Sequence, residues 1–223
     1  MSKAISDPAQ RAVMKVDLKQ QLKYLYNPST REAVMANIPD MQFLMVDGTG
    51  NPNTSQVYQA GVEALYGVAY TLKFQIKKEQ AIDYPVMPLE GLWWAENMQN
   101  FSTDNKENWQ WTMMIMQPDQ VTAKLFEQAR EQVKRKKDSP ALANMRLQKF
   151  HEADVAQIMH LGPYSAEGPT IARLHAFIRE QGYRFDGIEQ KHHEIYLSDP
   201  RRAAPDKMKT VIRQPVIRFP TEA

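Results

Sequence analysis

The sequence predicts an α+β fold in which one order of elements occurs twice. Segments with the period-2 pattern of strands alternate with segments whose apolar residues recur every three or four positions, as in helices. The order hairpin, helix, strand, strand starts again after residue 140, and Gly48 and Gly162 occupy matching places before the two helices. We therefore expect a lead-in helix within residues 1–30 and one domain over residues 31–223, composed of the halves 31–140 and 141–223.

Turn and capping residues define the elements of the first half. The dipeptide Pro39-Asp40 would join two short antiparallel strands as a β-hairpin. Thr54 or Ser55 can cap the next helix, and Asp119 can cap the last one. The predicted elements are a lead-in helix over 16–26, strands over 32–38 and 41–47, a helix from about 55 to 74, strands over 84–94 and 109–117, and a helix that ends near residue 137.

The second half repeats this order. Ser165 would cap its helix, and Gly182 would end it because glycine adopts the left-handed conformation of a helix C-terminus without strain. The predicted elements are a second hairpin from strands 146–150 and 156–161, the helix between these two signals, and strands over 192–198 and 209–217.

Composition excludes several classes of protein. The chain has 0 Cys, which excludes disulfides, thiolate metal sites and cysteine nucleophiles. Its histidines lack a zinc spacing and no phosphate-binding glycine loop is present, so we predict no metal and no cofactor. A net charge of +2 is too small to indicate nucleic-acid binding. Without an apolar leader or a membrane-length apolar stretch, we expect a cytoplasmic protein that binds neither nucleic acid nor membranes.

The strands of the first half are apolar or aromatic on both faces. In the last of them, Trp111 and Met113 lie on one face and Met114 lies on the other. Both faces must therefore be covered, one by helices and the other by a ligand, the second half or a partner. Trp93, Trp94 and nearby methionines suit flat, apolar or cationic ligands. A filled core or a homodimer interface would account for them equally well.

A glutamate stands within the strand predicted over 192–198. Because side chains alternate along a strand, we expect Ile195 and Leu197 to pack on the helix side. His192, Glu194 and Tyr196 would then point away from the helices. A carboxylate on a solvated sheet face needs no further explanation, whereas on a covered aromatic face it is a candidate ligand partner or base.

Four separated segments share their order and composition with one protein family: Met87-Pro-Leu-Glu-Gly-Leu-Trp-Trp94, Trp109-Gln-Trp-Thr-Met-Met-Ile-Met-Gln-Pro118, Gln157-Ile-Met-His-Leu-Gly-Pro-Tyr164 and His192-His-Glu-Ile-Tyr-Leu-Ser-Asp-Pro-Arg-Arg202. They resemble stand-alone GyrI-like small-molecule-binding proteins, and the resemblance spans the chain from Lys15 onward. It implies tandem β-α-β-β units related by pseudo-two-fold symmetry, with helices on one side and a ligand cleft between the halves.

The resemblance also implies a function. Multidrug-sensing relatives hold cationic aromatic ligands with a pocket glutamate, whose position here is Glu194. Some stand-alone relatives hydrolyse the cyclopropane of DNA-alkylating cyclopropanoid compounds, assisted by pocket Glu and Tyr groups. Regulators of the family attach a DNA-binding domain, and the segment before Glu32 is too short for one.

Three hypotheses follow for the aromatic face. A hydrolase would use Glu194 as general base, its pKa raised by burial, with Tyr70 or Tyr164 as proton donor. A protein–protein interaction module would use the face to dimerise. A binding module would hold flat aromatic or cationic small molecules against the ligand contacts Trp93, Trp94, Trp111, Met113, Tyr164, Tyr196 and His160.

Overall fold

The computed structural model describes residues 12–95, 106–185, 187 and 191–219. The start of the predicted lead-in region and most of the polar segment predicted between strands 84–94 and 109–117 lie outside the described residues. The helices are α1 (Leu18–Gln21), α2 (Lys23–Tyr26), α3 (Gln56–Gln80), α4 (Ala123–Lys136), α5 (Pro140–Ala143) and α6 (Gly168–Glu180). The strands are β1 (Met14–Lys15), β2 (Val34–Ile38), β3 (Met41–Thr49), β4 (Ile82–Asp83), β5 (Leu89–Trp94), β6 (Gln110–Gln117), β7 (Arg146–Phe150), β8 (Ala153–Leu161), β9 (Tyr183–Arg184), β10 (His192–Tyr196), β11 (Lys209–Pro215) and β12 (Ile217–Arg218).

Eight strands form one antiparallel sheet in the order β2-β8-β11-β10-β5-β6-β3-β7. The two halves of the chain meet where β10 pairs with β5. Outward from this seam, β11 corresponds to β6, β8 to β3, and β2 to β7, so the order on one side mirrors the order on the other. The predicted α+β fold with two related halves is therefore confirmed.

The two predicted hairpins are wrong, because the halves exchange strands. β2 pairs with β8 of the second half, and β7 pairs with β3 of the first. A two-residue hairpin needs a turn with positive φ, whereas proline fixes φ near −65°, so the Pro39-Asp40 link cannot make that turn. The two links lie side by side, with His151 Nδ1 2.6 Å from Asp40 Oδ1.

The structure also tests the predicted helix caps and helix starts, and several of them differ. Ser55 caps α3 as expected, accepting a hydrogen bond from the Tyr58 amide. Thr122 caps α4 instead of Asp119. The helix expected to start at Ser165 begins at Gly168, after a short 3₁₀ turn. The lead-in helix is divided into α1 and α2.

Both faces of the sheet are covered, as the two-faced strands predict. α3 packs against β3 and β6, α4 packs on α3, and α6 packs on β8. On the opposite face the lead-in segment is anchored by Tyr26, whose hydroxyl donates to Glu90 Oε1 at 2.7 Å. From the sequence we expected a ligand, the second half or a partner to cover this face. The lead-in segment covers part of it instead.

Candidate functional site

Glu194 lies on the helix-covered face of the sheet, which corrects the predicted orientation. In the β10–β5 register it stands opposite Gly91, and His192 stands opposite Trp93. Trp93 stacks on Tyr58 of α3, and directly opposed residues of neighbouring strands point to the same face. Ile195, which we expected on the helix side, lies on the other face opposite Glu90.

Three donors hold the Glu194 carboxylate. His192 Nε2 donates to Oε1 at 3.0 Å and the Tyr196 hydroxyl donates to Oε2 at 2.7 Å. Trp93 Nε1 in turn donates to the Tyr196 oxygen at 2.8 Å. The third donor is the side chain of Glu167. The side chain of Glu194 is 15% exposed, so part of it stays accessible although His192 and Tyr196 donate hydrogen bonds to it.

Glu167 and Glu194 form a carboxyl pair in which the two pKa values move apart. Burial and the charge of Glu194 raise the pKa of Glu167 to about 9. For Glu194, burial raises the pKa, but the hydrogen bonds from His192, Tyr196 and Glu167 together outweigh it and the pKa is lowered. The raised pKa predicted for Glu194 is therefore wrong in direction. The pair carries one proton at neutral pH, on Glu167, because Glu194 has the larger number of donors.

Aromatic rings stand beside this pair. Tyr58 stacks on Trp93 with ring centroids 6.1 Å apart and meets Trp111 edge-on at 5.2 Å. Trp93 meets Trp109 at 5.4 Å. At Gly91, a Cβ atom would lie 2.7 Å from Trp93 Nε1, so the indole can extend across β5 to Tyr196 only because this residue has no side chain.

The two candidate tyrosines lie in different places. Tyr164 packs edge-on against Tyr196 with ring centroids 5.5 Å apart, and it is 38% exposed. Burial and the charges of Glu194 and Glu167 raise the pKa of Tyr164 to about 12. Tyr70 is 48% exposed on α3, between Tyr66 and Phe74. The structure therefore brings Tyr164, and not Tyr70, to the carboxyl pair.

The remaining predicted ligand contacts are divided between the site and the core. Trp111 and Met113 share the Glu194 face but are fully buried. Trp94 Nε1 donates to Gln110 Oε1 at 3.0 Å, at the end of β5. Both His160 nitrogens are engaged near the start of α6, Nδ1 with Thr170 Oγ1 at 3.0 Å and Nε2 with the Pro163 carbonyl oxygen at 3.2 Å.

Two residues of the site, Glu167 and Tyr58, are not predicted from the sequence. Glu167 stands at the N-cap of α6, where Ser, Thr, Asn and Asp are favoured, and its side chain does not cap the helix. A glutamate at an N-cap position can indicate a functional residue, but the position can be recognised only when the start of the helix is known. Tyr58 lies one turn after the Ser55 cap of α3, where its place in the helix pattern alone does not indicate that its ring reaches Trp93 on the sheet.

In the ranges 12–95, 106–185 and 191–219, and at residue 187, no group of three or more His, Asp or Glu side chains is arranged to hold a metal ion. Over the same described residues, no helix has the length and apolar content needed to cross a membrane.

The sequence matches the GyrI-like small molecule binding domain over residues 32–216. The chain belongs to this family. A structure described as an uncharacterized conserved protein from Listeria innocua is 41% identical, with a TM-score of 0.84, covering 91% of this chain and 100% of the other. A structure described as a hydrolase from Listeria innocua is 40% identical, with a TM-score of 0.78 and the same coverage.

A more distant structural comparison shows likeness of fold alone. The EcmrR C-terminal domain is 12% identical with a TM-score of 0.50, covering 84% of this chain and 98% of the other. A search of curated proteins gave no match.

Proposed function

We propose that this GyrI-like protein is a hydrolase that holds a flat, largely apolar small molecule beside the Glu194–Glu167 pair and adds water to it. The observation that carries the proposal is a buried, ionised carboxylate fixed by three donors beside stacked aromatic rings. A carboxylate held in this way is positioned to take a proton from water. The similarity to a Listeria innocua structure described as a hydrolase also supports it.

The proposed substrates are cyclopropanoid compounds, the class that the family resemblance implies. Such a compound carries a strained three-membered ring conjugated to a carbonyl group. The oxygen of water would attack the ring methylene while Glu194 accepts a proton from that water. The ring C–C bond breaks, its electron pair moves into the conjugated system, and the carbonyl oxygen becomes a phenol oxygen that takes up one proton. The product is the substrate plus one water.

The neighbouring groups have defined parts in this proposal. Tyr58 and Trp93 offer ring surfaces against which a flat substrate can stack. Tyr164, with its pKa raised to about 12, keeps its proton at neutral pH and can donate a hydrogen bond to the developing oxygen anion. His192 accepts from Gln214 on Nδ1 at 3.3 Å while Nε2 donates to Glu194, so the ring is fixed on both sides.

Mass spectrometry of a cyclopropanoid incubated with the protein tests the activity. We expect a product heavier by one water, formed faster than in buffer. Glu194→Gln removes the base and is expected to lower the rate by about 100-fold to 10,000-fold, the usual contribution of general acid–base catalysis. Glu131→Gln, an exposed change of the same chemistry on α4, should leave the rate unchanged. A wild-type rate equal to that of buffer would overturn the proposal.

Binding without turnover is the second candidate function. It is favoured by the net negative charge of the carboxyl pair beside aromatic rings, an arrangement that attracts lipophilic cations. Such cations should then quench tryptophan fluorescence, and Glu194→Gln should weaken their binding. Quenching by cations without any hydrolysis would favour this function over the first. An obligate dimer that responds to neither class of compound would instead favour a protein–protein interaction module.

A further inference from the structure

We infer that Glu167 is a second catalytic residue, which delivers its proton to the substrate oxygen in the same step in which Glu194 accepts a proton from water. This inference rests on the proposed hydrolase function and extends it. The two carboxyls would act together as an acid and a base.

The first support is the placement of Glu167. Glu167 is only 5% exposed and lies between the 3₁₀ turn Tyr164–Ala166 and the start of α6. Its Oε1 has no hydrogen-bond partner among the described residues. A buried polar atom left unpaired is costly, so such an atom beside an open site is a position for a substrate or a water.

A second unpaired atom lies next to it. Thr210 is close enough to Glu167 to lower the pKa of that carboxyl, yet Thr210 Oγ1 also lacks a partner with ordinary hydrogen-bond geometry in the described part of the chain. Thr210 stands opposite Tyr196 on β10 and opposite His160 on β8. Glu167 Oε1, just before α6, and Thr210 Oγ1 of β11 are therefore two neighbouring buried oxygens without a partner of ordinary geometry among the described residues.

The charged and titratable groups that face Glu167 come from several elements. Glu194 of β10 opposes its ionisation, whereas Lys106, which lies before β6, favours it. Tyr164 of the 3₁₀ turn and Tyr196 of β10 are close enough for the charge of Glu167 to raise their own pKa values. Burial and Glu194 dominate this balance, so Glu167 keeps its proton at neutral pH.

Glu167 is a better proton source than the nearby tyrosines. Its pKa of about 9 lies below the value of about 12 for Tyr164. The pKa of Tyr58 is raised by burial and by Tyr164, and that of Tyr196 is raised by burial and by Glu194. Tyr196 also already donates its proton to Glu194 Oε2. A group whose pKa lies nearer the working pH transfers its proton more readily.

The hydrogen bond between the two carboxyls completes the proton balance. During the reaction Glu194 gains a proton from water and Glu167 loses one to the substrate oxygen. Afterwards Glu194 is protonated and Glu167 is ionised, the reverse of the resting state. Transfer of one proton along the hydrogen bond between them restores that state without help from solvent.

The test combines a pH–rate profile with Glu167→Gln and Glu167→Asp variants, using the cyclopropanoid assay. For the wild-type chain we expect the rate to fall as pH rises through about 9, where Glu167 loses its proton. Glu167→Gln should be slower by roughly 100-fold at neutral pH and should lack that alkaline fall. Glu167→Asp, which keeps an ionisable carboxyl, should retain part of the rate and show the alkaline fall again.

Infrared spectroscopy gives a readout that needs no substrate. A protonated carboxyl has its own C=O stretching band, which should be present in the wild-type protein at neutral pH and absent from Glu167→Gln. A purely structural role for Glu167 would not predict the altered pH profile. Circular dichroism confirms that each variant is folded before its rate is interpreted.

The outcomes separate the two proposals. If the wild-type chain hydrolyses the substrate and Glu167→Gln matches it in rate and in alkaline fall, only the role of Glu167 is overturned. Loss of the alkaline fall together with the infrared band supports that role. If the wild-type chain does not hydrolyse the substrate, the proposed function fails, and the catalytic role of Glu167 fails with it.

Discussion

The two faces of strand β10 carry similar ionisable residues, but the two clusters differ in their hydrogen bonding and charge balance. His192 and Glu194 point to the helix-covered face, and His193 points to the other. On that other face, His193 Nε2 donates to Glu90 Oε2 at 3.0 Å, and Nδ1 donates to Glu152 Oε1 at 2.9 Å. Both faces thus combine a histidine with two carboxyl groups within one small cluster.

The cluster around His193 is closed and balanced in charge. Arg213 contacts Glu152 Oε2 at 3.3 Å, and its other nitrogens donate to Gln157 Oε1 at 3.1 Å and to the Leu25 carbonyl oxygen at 2.9 Å. The two cations offset the two carboxylates, and Arg213, Glu90 and His193 are fully buried. Glu152 raises the pKa of His193 despite its burial, and His193 and Arg213 lower the pKa of Glu152.

The cluster around Glu194 is open and unbalanced. Its two carboxyls share one proton, the pKa of Glu167 is raised, and Glu167 Oε1 has no partner among the described residues. This difference is why we propose a structural role for the His193 cluster and a chemical role for the Glu194 cluster. A buried network whose members are all hydrogen-bonded fixes one arrangement of the chain. Buried polar atoms without partners, together with a shifted pKa, are instead typical of a site that binds a ligand or substrate.

The largest expected effect comes from breaking the closed cluster with Arg213→Met. Glu152 would stay buried without its guanidinium partner, and removing one member of a buried ion pair typically costs about 3–5 kcal/mol. Chemical denaturation should show this as a lower midpoint with an unchanged slope. The control is Arg201→Met, because Arg201 pairs with Asp199 while its side chain is 85% exposed. A midpoint for Arg213→Met equal to that of the control would contradict the structural role of this cluster.

The open cluster should make stability depend on pH in a different way. Glu167 has a folded pKa of about 9, above the ordinary 4.5 of the unfolded chain. Between these values the folded state holds a proton that the unfolded state lacks, so the free energy of unfolding falls as pH rises from about 5 to 9. Glu167→Gln should flatten this slope and make the protein more stable than wild type at pH 8.

His193 adds to the same slope and must be separated from it. Its raised pKa gives stability that is fully present below about 6.5 and is lost as pH rises through its folded value. That contribution should remain in Glu167→Gln. Denaturation midpoints measured at several pH values for both proteins isolate the part due to Glu167. Parallel curves would mean that the pKa of Glu167 is not raised in the folded state.

The sequence predicted the repeated α+β order because strand and helix periodicities are local. It could not predict the exchange of β2 and β7, because strand pairing joins residues more than 100 positions apart, such as Val34 and Gln157. The predicted orientation of Glu194 was wrong for another reason. Both faces of β10 are buried, so the rule that the apolar face of a strand meets the helices could not tell one face from the other.

The candidate site was predicted in part. The resemblance indicated Glu194, and the aromatic composition indicated Trp93, but neither indicated Glu167. The role proposed for Glu167 depends on a pKa that is raised by burial and by the charge of Glu194, 27 positions along the chain. The ordinary expectation for glutamate is an exposed side chain, so a single sequence favours the wrong environment here.

The smallest expected effect concerns the seam between the halves, where Gly91→Ala would place a Cβ atom 2.7 Å from Trp93 Nε1 and 3.1 Å from Met113 Sδ. The indole would have to move away from the Tyr196 oxygen, at a cost typical of overpacking, about 1–3 kcal/mol. Gly67→Ala is the control, because its Cβ would meet Val133 at an ordinary 3.4 Å. Because Trp93 donates to Tyr196, which in turn donates to Glu194, Gly91→Ala should also slow the proposed hydrolysis of the cyclopropanoid. A stability loss with an unchanged rate would mean that the Trp93–Tyr196 hydrogen bond serves packing alone.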